Sequence, residues 1–357
     1  MAEAKLYVRP IGFLYGAVAE RAVAEELALP LAGGPIAFSA IELIEGVPGS
    51  AERRIIAAAA LAKESARDAY LATLLSRVTA KRLSFAGLSL DTPLLMGIVN
   101  VTPDSFSDGG LYDTTEEAIE HAAELAQAGA AIVDIGGEST RPDSEGVDEQ
   151  DELQRVMPVI EGLKGFRAAI SIDTRKSSVA RAAAKAGAKI FNDVSALTFD
   201  SGSQAAAALT GMSVVLMHAQ GEPKTMQDNP TYADVVLEVY DYLQERIEVA
   251  EAAGIPRARI AADPGLGFGK TLAHNLALIS HVSLFHGLGV PLLIGASRKR
   301  FIKGIAGGDV PASREPGSQA AAIAAAAQGA QIFRVHDVTA ARQALDVFRA
   351  SMLGTET

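Results

Sequence analysis

The sequence predicts an α/β fold, a (β/α)₈ TIM barrel with a small N-terminal appendage, and three observations lead there. From Leu94 onward, short apolar runs alternate with segments of helical periodicity. Eight such units fit into about 265 residues, the usual size of a closed barrel. Finally, Ala128-Gly129-Ala130, Ala186-Gly187-Ala188 and Gln328-Gly329-Ala330 each end a helical segment on glycine just before a strand. Glycine there suits a left-handed helix C-cap, so the echo marks repeated units. A doubly wound open sheet shares the alternation and is the alternative architecture.

Residues 1–85 read differently from the rest. Tyr7 to Gly16 predicts a short strand or turn, and Gly33-Gly34-Pro35 a turn leading into a strand-like piece from Ile36 to Leu43. Glu52 to Ala80 is alanine-rich, with Leu61, Leu71, Leu74 and Leu75, and reads as a helix on propensity. No residue type of an active site stands out, so a packing or dimer-facing appendage of unknown role is expected. Residues 86–357 form the barrel in this division. Its strands are expected at 94–99, 131–135, 168–172, 188–191, 213–217, 259–262, 290–294 and 331–335. Between them lie helices such as Glu116–Ala128, Ser177–Ala186, Tyr232–Ala253 and Gly317–Gln328.

Composition narrows the function classes. With 49% hydrophobic and 21% charged residues, the 357-residue chain can bury a large core. It has no cysteine, which removes disulfides, thiolate-bound zinc and thiol nucleophiles, and agrees with a reducing cytoplasm. Glu20 and Arg21 interrupt the early apolar residues, so no signal peptide is expected. No apolar run approaches the roughly 18 residues of a membrane span. A formal charge of −11 argues against nucleic acid as a partner, and an anionic substrate would need a local basic pocket.

The richest stretch is Ile98 to Gly110, a buried strand that empties into Asn100, Thr102, Asp104, Ser105, Ser107 and Asp108 around Pro103. Alone it could be an ordinary junction, with Thr114 and Glu117 as a capping box for the next helix. Its analogues change the balance. The strand ends carry Asn100; Asp134 with Glu138, Ser139, Thr140 and Arg141; Asp173 with Thr174 and Arg175; and Asn192 with Asp193. They continue with His218; Asp263; Ser297, Arg298 and Lys299; and Arg334 with His336 and Asp337. An aspartate at one such junction is more often an N-cap than a catalyst. All eight ends being polar points to a site, because barrel active sites gather at the strand C-termini.

These residues sort by chemistry. Asp173, Asn192 and Asp263 offer acceptors and an amide to a flat heterocycle rich in N–H donors and ring nitrogens. Arg334, His336 and the Ser297-Arg298-Lys299 run offer cations to phosphate or carboxylate. Asn100 stands where a magnesium ion held partly by substrate phosphates would be at home. Two nucleotide motifs fail. Gly265-Leu266-Gly267-Phe268-Gly269-Lys270-Thr271 has proline at 264, where a P-loop needs its first glycine, and Lys270 where G-x-G-x-x-G ends. Its glycines are expected to let the loop approach a planar ligand, with Phe268 as an aromatic wall.

Eight segments together resemble the dihydropteroate synthase family. They are MGIVNVTPDSFSDGG (96–110), VDIGGESTRP (133–142), SIDT (171–174), FNDVSAL (191–197), VVLMHAQGEPKTMQ (214–227), DPGLGFGKTLAHNL (263–276), GASRKRFI (295–302) and FRVHDV (333–338). They run in family order over about 245 residues, and residues 1–85 lie outside them. The resemblance implies a (β/α)₈ barrel, usually a homodimer, in the cytoplasm. It implies a reaction joining 7,8-dihydropterin-6-ylmethyl diphosphate to 4-aminobenzoate, with release of diphosphate. It also implies that Asn100 ligates a magnesium ion, and that Asp173, Asn192, Asp263 and Lys299 hold the pterin. Arg334 and His336, helped by Thr140, would bind the leaving diphosphate. Phe106, Thr140, Arg141, Pro142, Phe268 and Lys299 would enclose aminobenzoate, in the pocket that sulfonamides occupy in the family.

Three positions depart from the family pattern. Ala219 replaces a frequent methionine, Arg300 replaces a frequent serine, and the loop after Pro142 reads DSEGVDE, longer and more acidic. The last two are expected to alter the response to sulfonamides. Two other functions fit parts of the chain. A methyltransferase acting on methyl-tetrahydrofolate would share the pterin-facing residues but has no use for Phe106, the SRK run or RVHDV. A pterin-binding paralogue without catalysis would not need the loop-one motif and the anion-binding residues.

Overall fold

The computed structural model describes residues 5–82, 84–101, 115–139, 146–222 and 224–354. The chain opens with β1 (Lys5–Leu14), α1 (Gly16–Ala24), β2 (Leu29–Pro30), β3 (Ala37–Gly46) and β4 (Glu52–Ala57). Two helices follow, α2 (Ala58–Ser65) and α3 (Ala69–Thr79), then a hairpin of β5 (Ser84–Phe85) and β6 (Leu88–Ser89). In the first sheet β3 is central, antiparallel to β1 on one side and to β2 and β4 on the other. The expected helix over Glu52–Ala80 is therefore wrong in its first six residues and broken in the middle. Glu52–Ala57 pairs along Ala40–Glu45, a tertiary partner that propensity cannot register. Asp68 then starts α3, its Oδ1 accepting from the backbone N–H of Tyr70 at 2.9 Å and of Leu71 at 3.0 Å.

The remaining strands are all parallel: β7 (Leu94–Asn100), β8 (Ile132–Gly136), β9 (Ala169–Asp173), β10 (Ile190–Asp193), β11 (Ser213–Met217), β12 (Ile260–Asp263), β13 (Leu293–Ile294) and β14 (Ile332–Val335). The helices that follow them are α4 (Thr115–Gln127), α5 (Glu149–Gly162), α6 (Ser177–Ala186), α7 (Ser203–Thr210), α8 (Val235–Ala252), α9 (Leu272–Ser280), α10 (Arg300–Ala306), α11 (Glu315–Ala326) and α12 (Val338–Leu353). The strand order β12-β11-β10-β9-β8-β7-β14-β13 has its two ends joined by a bridge between Ala262 and Leu292. That contact makes the sheet a barrel and sets aside the open-sheet alternative. Pro291 lacks an N–H, so β13 starts later than expected and is short. Gly129, Gly187 and Gly329 have φ of 105°, 118° and 84°, the left-handed conformation that the glycine echo predicted.

Inside the barrel, Met96, Ile132, Ile190, Val215, Ala261, Leu293 and Ile332 form an apolar floor, closed from below by Phe85 of the hairpin. Side chains along a strand alternate between faces, so the next inward position lies two residues on. Two residues beyond Ile132, Ile190, Ala261 and Ile332 stand Asp134, Asn192, Asp263 and Arg334. The floor thus lifts a polar layer to the C-terminal mouth.

Candidate active site

Arg334, at the end of β14, is central to that layer. Its Nε donates to Asp134 Oδ2 at 2.6 Å and its Nη2 to Asp173 Oδ2 at 2.8 Å. Asp134 Oδ2 also accepts from Asn192 Nδ2 at 3.0 Å. Two buried carboxylates therefore face one guanidinium. Burial and the charge of Asp134 push the Asp173 carboxyl up to about 8, against the pull of Arg334. Burial opposes the charge on Arg334 as well, but the two carboxylates prevail and hold its protonation above the ordinary arginine value.

Asp263 ends β12, two strands from β14 around the barrel. Its Oδ1 accepts from Gly265 N at 2.7 Å, and burial raises its pKa while Lys299 and that N–H oppose. Lys299 Nζ donates to the Leu266 carbonyl and lies 4.6 Å from the centre of the Phe268 ring. Burial draws its ammonium down to about 8, with Asp263 resisting. Arg298 has φ of 58°, a left-handed conformation uncommon for a side-chain-bearing residue. It is pinned there by Ser318 Oγ on its N–H at 2.9 Å and by Arg314 on its carbonyl at 2.9 Å. This turn sends Lys299 inward and sends Arg298 to Glu315, 2.9 Å away. The expected cationic run is thus divided: Arg298 belongs to a structural ion pair.

His336 follows β14. Ser297 Oγ accepts from the His336 backbone N–H at 3.2 Å and lies 2.9 Å from Nδ1, which fixes the ring against the end of β14. Asn100 ends β7 opposite Gly136, where a Cβ would approach its Oδ1 to 3.8 Å. Asp173, Asn192, Asp263, Lys299, Arg334, His336, Phe268 and Asn100 therefore all lie at the mouth. Phe106, Thr140, Arg141 and Pro142 lie outside the described residues.

Other polar strand ends have structural work. Asp193 takes Ser195 N, Ser195 Oγ and Leu197 N at 2.7, 2.6 and 3.1 Å, holding a turn in which Ala196 and Leu197 both have positive φ. Arg175 and Lys176 bind Glu138 at 2.7 and 3.0 Å, and against the cost of burial those bonds hold its carboxyl below the usual range. The glycine loop also differs from expectation. Gly265, Gly267 and Gly269 have φ of 66°, 83° and 63°, and a Cβ on Gly265 or Gly269 would fall 1.9 Å from the His218 carbonyl or 2.3 Å from that of Gln220. These two glycines make room for the chain's own backbone. Sequence reasoning assigned no role to Lys270, which is buried and bonds His218 Nδ1 at 2.9 Å and the Phe268 carbonyl at 3.0 Å. Burial and Lys270 keep His218 neutral, its pKa well below the ordinary value. The lysine in a loop of glycines was the signal available.

Residues 96–336 match the family model described as Pterin binding enzyme. Dihydropteroate synthase of Escherichia coli (strain K12) is 48% identical over 278 residues, which is 77% of this chain and 98% of the relative. The solved Xanthomonas albilineans dihydropteroate synthase with 4-aminobenzoic acid is 49% identical with a TM-score of 0.70, over 74% of this chain and 94% of that one. The same enzyme in complex with 7,8-dihydropteroate gives 47% and 0.68, over 74% and 95%. With the family match across the barrel and relatives near half identical over almost their whole length, the chain belongs to the dihydropteroate synthase family of pterin-binding enzymes.

Proposed function

We infer that the chain condenses 7,8-dihydropterin-6-ylmethyl diphosphate with 4-aminobenzoate, giving 7,8-dihydropteroate and diphosphate. The observation that carries this reading is the polar layer itself: acceptors from Asp173, Asn192 and Asp263 share one barrel mouth with Arg334 and Lys299. A dihydropterin edge is rich in N–H donors and fits the acceptors. The cations suit the leaving anion.

In the proposed reaction the methylene C–O bond breaks and its electron pair leaves with diphosphate. Arg334 and His336 offset the charge that develops there. The ring delocalises the cation left on the methylene, and the Asp263 carboxylate stabilises it. The arylamine nitrogen then forms the C–N bond and loses a proton. Nothing in this sequence needs a covalent enzyme nucleophile, so catalysis is positioning and electrostatics. Magnesium, when bound, would neutralise diphosphate oxygens, and Asn100 would give it one protein oxygen. No group of three His, Asp or Glu side chains suited to a metal occurs among the described residues. A single amide oxygen with the rest from substrate and water fits magnesium better than a tightly ligated ion.

The cysteine-free composition supports action in the cytoplasm. No helix among the described residues is long and apolar enough to cross a membrane. A homodimer is supported by Leu272 and Leu276 of α9 and Ile305 of α10, which are 41%, 43% and 58% exposed on adjoining helices. Sedimentation equilibrium at micromolar protein reads that state directly. The reaction is tested by mixing the protein with both substrates and magnesium and seeking dihydropteroate by mass spectrometry. Product is expected, and Asp263→Asn is expected to abolish it; no product from the unaltered chain would reject the reading.

A further inference from the structure

Asp134 is fully buried, yet only one of its oxygens is used. Oδ2 accepts from both Asn192 and Arg334, while Oδ1 has no partner among the described residues. A half-satisfied buried carboxylate beside a second one, Asp173, is a poor choice for stability alone. The geometry gives it another use. Because one N–H of the Asn192 amide is committed to Asp134, the amide cannot flip, and the direction in which its carbonyl oxygen points is fixed. Because Arg334 spends Nε on Asp134 and Nη2 on Asp173, its Nη1 is left without a hydrogen bond among the described residues.

We propose that Asp134 is a positioning residue: its one oxygen selects which end of the Asn192 amide meets the substrate ring and which edge of Arg334 meets the leaving diphosphate. The proposal rests on the pterin-and-diphosphate reading above. It fixes the Asn192 carbonyl oxygen toward the ring, between the carboxyl groups of Asp173 and Asp263. A ring with an acceptor at the atom facing the Asn192 carbonyl oxygen would be refused. Ring and anion subsites are then held in register by one carboxylate.

The test uses calorimetry with two probes on the full chain, a 6-hydroxymethyl dihydropterin without phosphate and inorganic diphosphate with magnesium, together with kcat, KM and Tm. Asp134→Asn puts both a donor and an acceptor at position 134, so the Asn192 amide can pair in either sense, and it removes the negative charge facing Arg334. Each probe should then bind about tenfold more weakly, one lost hydrogen bond apiece, with Tm unchanged or higher. The double variant Asp134→Asn with Asn192→Asp restores a donor–acceptor pair in the opposite sense. It should recover ring affinity but not diphosphate affinity, a split that general loosening of the fold would not produce. Unchanged binding of both probes by Asp134→Asn overturns the proposal, as does a fall in Tm that tracks the loss. If the variants do not fold, a ring complex of the unaltered protein decides: an Asn192 amide turned so that Nδ2 has left Asp134 overturns the proposal, and Nδ2 on Asp134 with Oδ1 against a ring donor supports it. Failure of the unaltered protein to bind the ring would instead reject the underlying functional reading.

Discussion

At the scale of single residues, the site is a problem of sharing one cation among several anions. Asp173 and Asp134 both press on Arg334, and the cost falls on Asp173, whose carboxyl keeps its proton up to about 8 in the native state against 3.8 in an ordinary setting. The native form therefore binds the extra proton between those two values, and the stability that Asp173 contributes is present at the acid end and lost as pH rises toward 8. Asp173→Asn removes this dependence. The Tm of that variant minus that of the unaltered protein should rise between about pH 5 and pH 8 and then level off; a difference flat across that range, measured by calorimetry, would reject the raised value. The polar residues of the mouth were legible from their place at strand ends, and Asp134, Asn192, Asp263 and Arg334 follow the apolar floor by one full alternation. Their partners were not. Asp134 and Arg334 are 200 positions apart, and Arg298 was grouped with Lys299 because nothing in the letters reveals a positive φ that turns the two apart.

At the scale of elements, strands buried on both faces are continuous apolar runs, and this is why all eight were placed to within a few residues. The exceptions have local causes: proline shortens β13, and the edge strand β4 exists only because β3 offers it hydrogen bonds. The loop after β12 shows how an element end becomes a site part. Gly265 gives its N–H to Asp263, Leu266 gives its carbonyl to Lys299, and Lys270 ties the loop's far end to His218. Gly265→Ala would force a Cβ to 1.9 Å from the His218 carbonyl at φ of 66°. A cost of at least about 2 kcal/mol is expected from the backbone conformation and the clash together. The loop should shift as a unit, so ring affinity should fall together with Tm. Gly267→Ala meets only the Lys299 side chain, at 3.2 Å, and should be milder in Tm. Equal losses of Tm from the two substitutions, measured side by side, would contradict this account of the loop.

At the scale of the whole molecule, the open question in the sequence was the first 85 residues. They carry their own apolar cluster, built from Val8, Phe38, Ile41, Leu61, Leu71, Leu74 and Val78 among others. They are also clamped to the barrel. Tyr7 enters the barrel's outer core and its hydroxyl donates to Asp241 at 3.1 Å, Arg9 donates to the Ser280 carbonyl at 2.9 Å, and Tyr15 donates to the Ala327 carbonyl at 2.9 Å. The Ser84–Ser89 hairpin belongs with the barrel floor through Phe85, so a deletion that respects the core stops short of it. None of the hydrogen bonds described at the mouth involves the appendage. Removing residues 1–80 should therefore cost stability and spare chemistry. Loss of the Tyr7 contacts alone is worth about 3 kcal/mol of apolar burial and hydrogen bonding, or a fall of roughly 5 °C or more in Tm. Dihydropteroate formation per folded molecule, measured well below the lowered Tm, should stay within about twofold of the full chain, a change of less than 0.5 kcal/mol in the barrier. A truncated protein that remains folded but no longer makes product would place the appendage in catalysis, and the separation of scaffold from site argued here would fail.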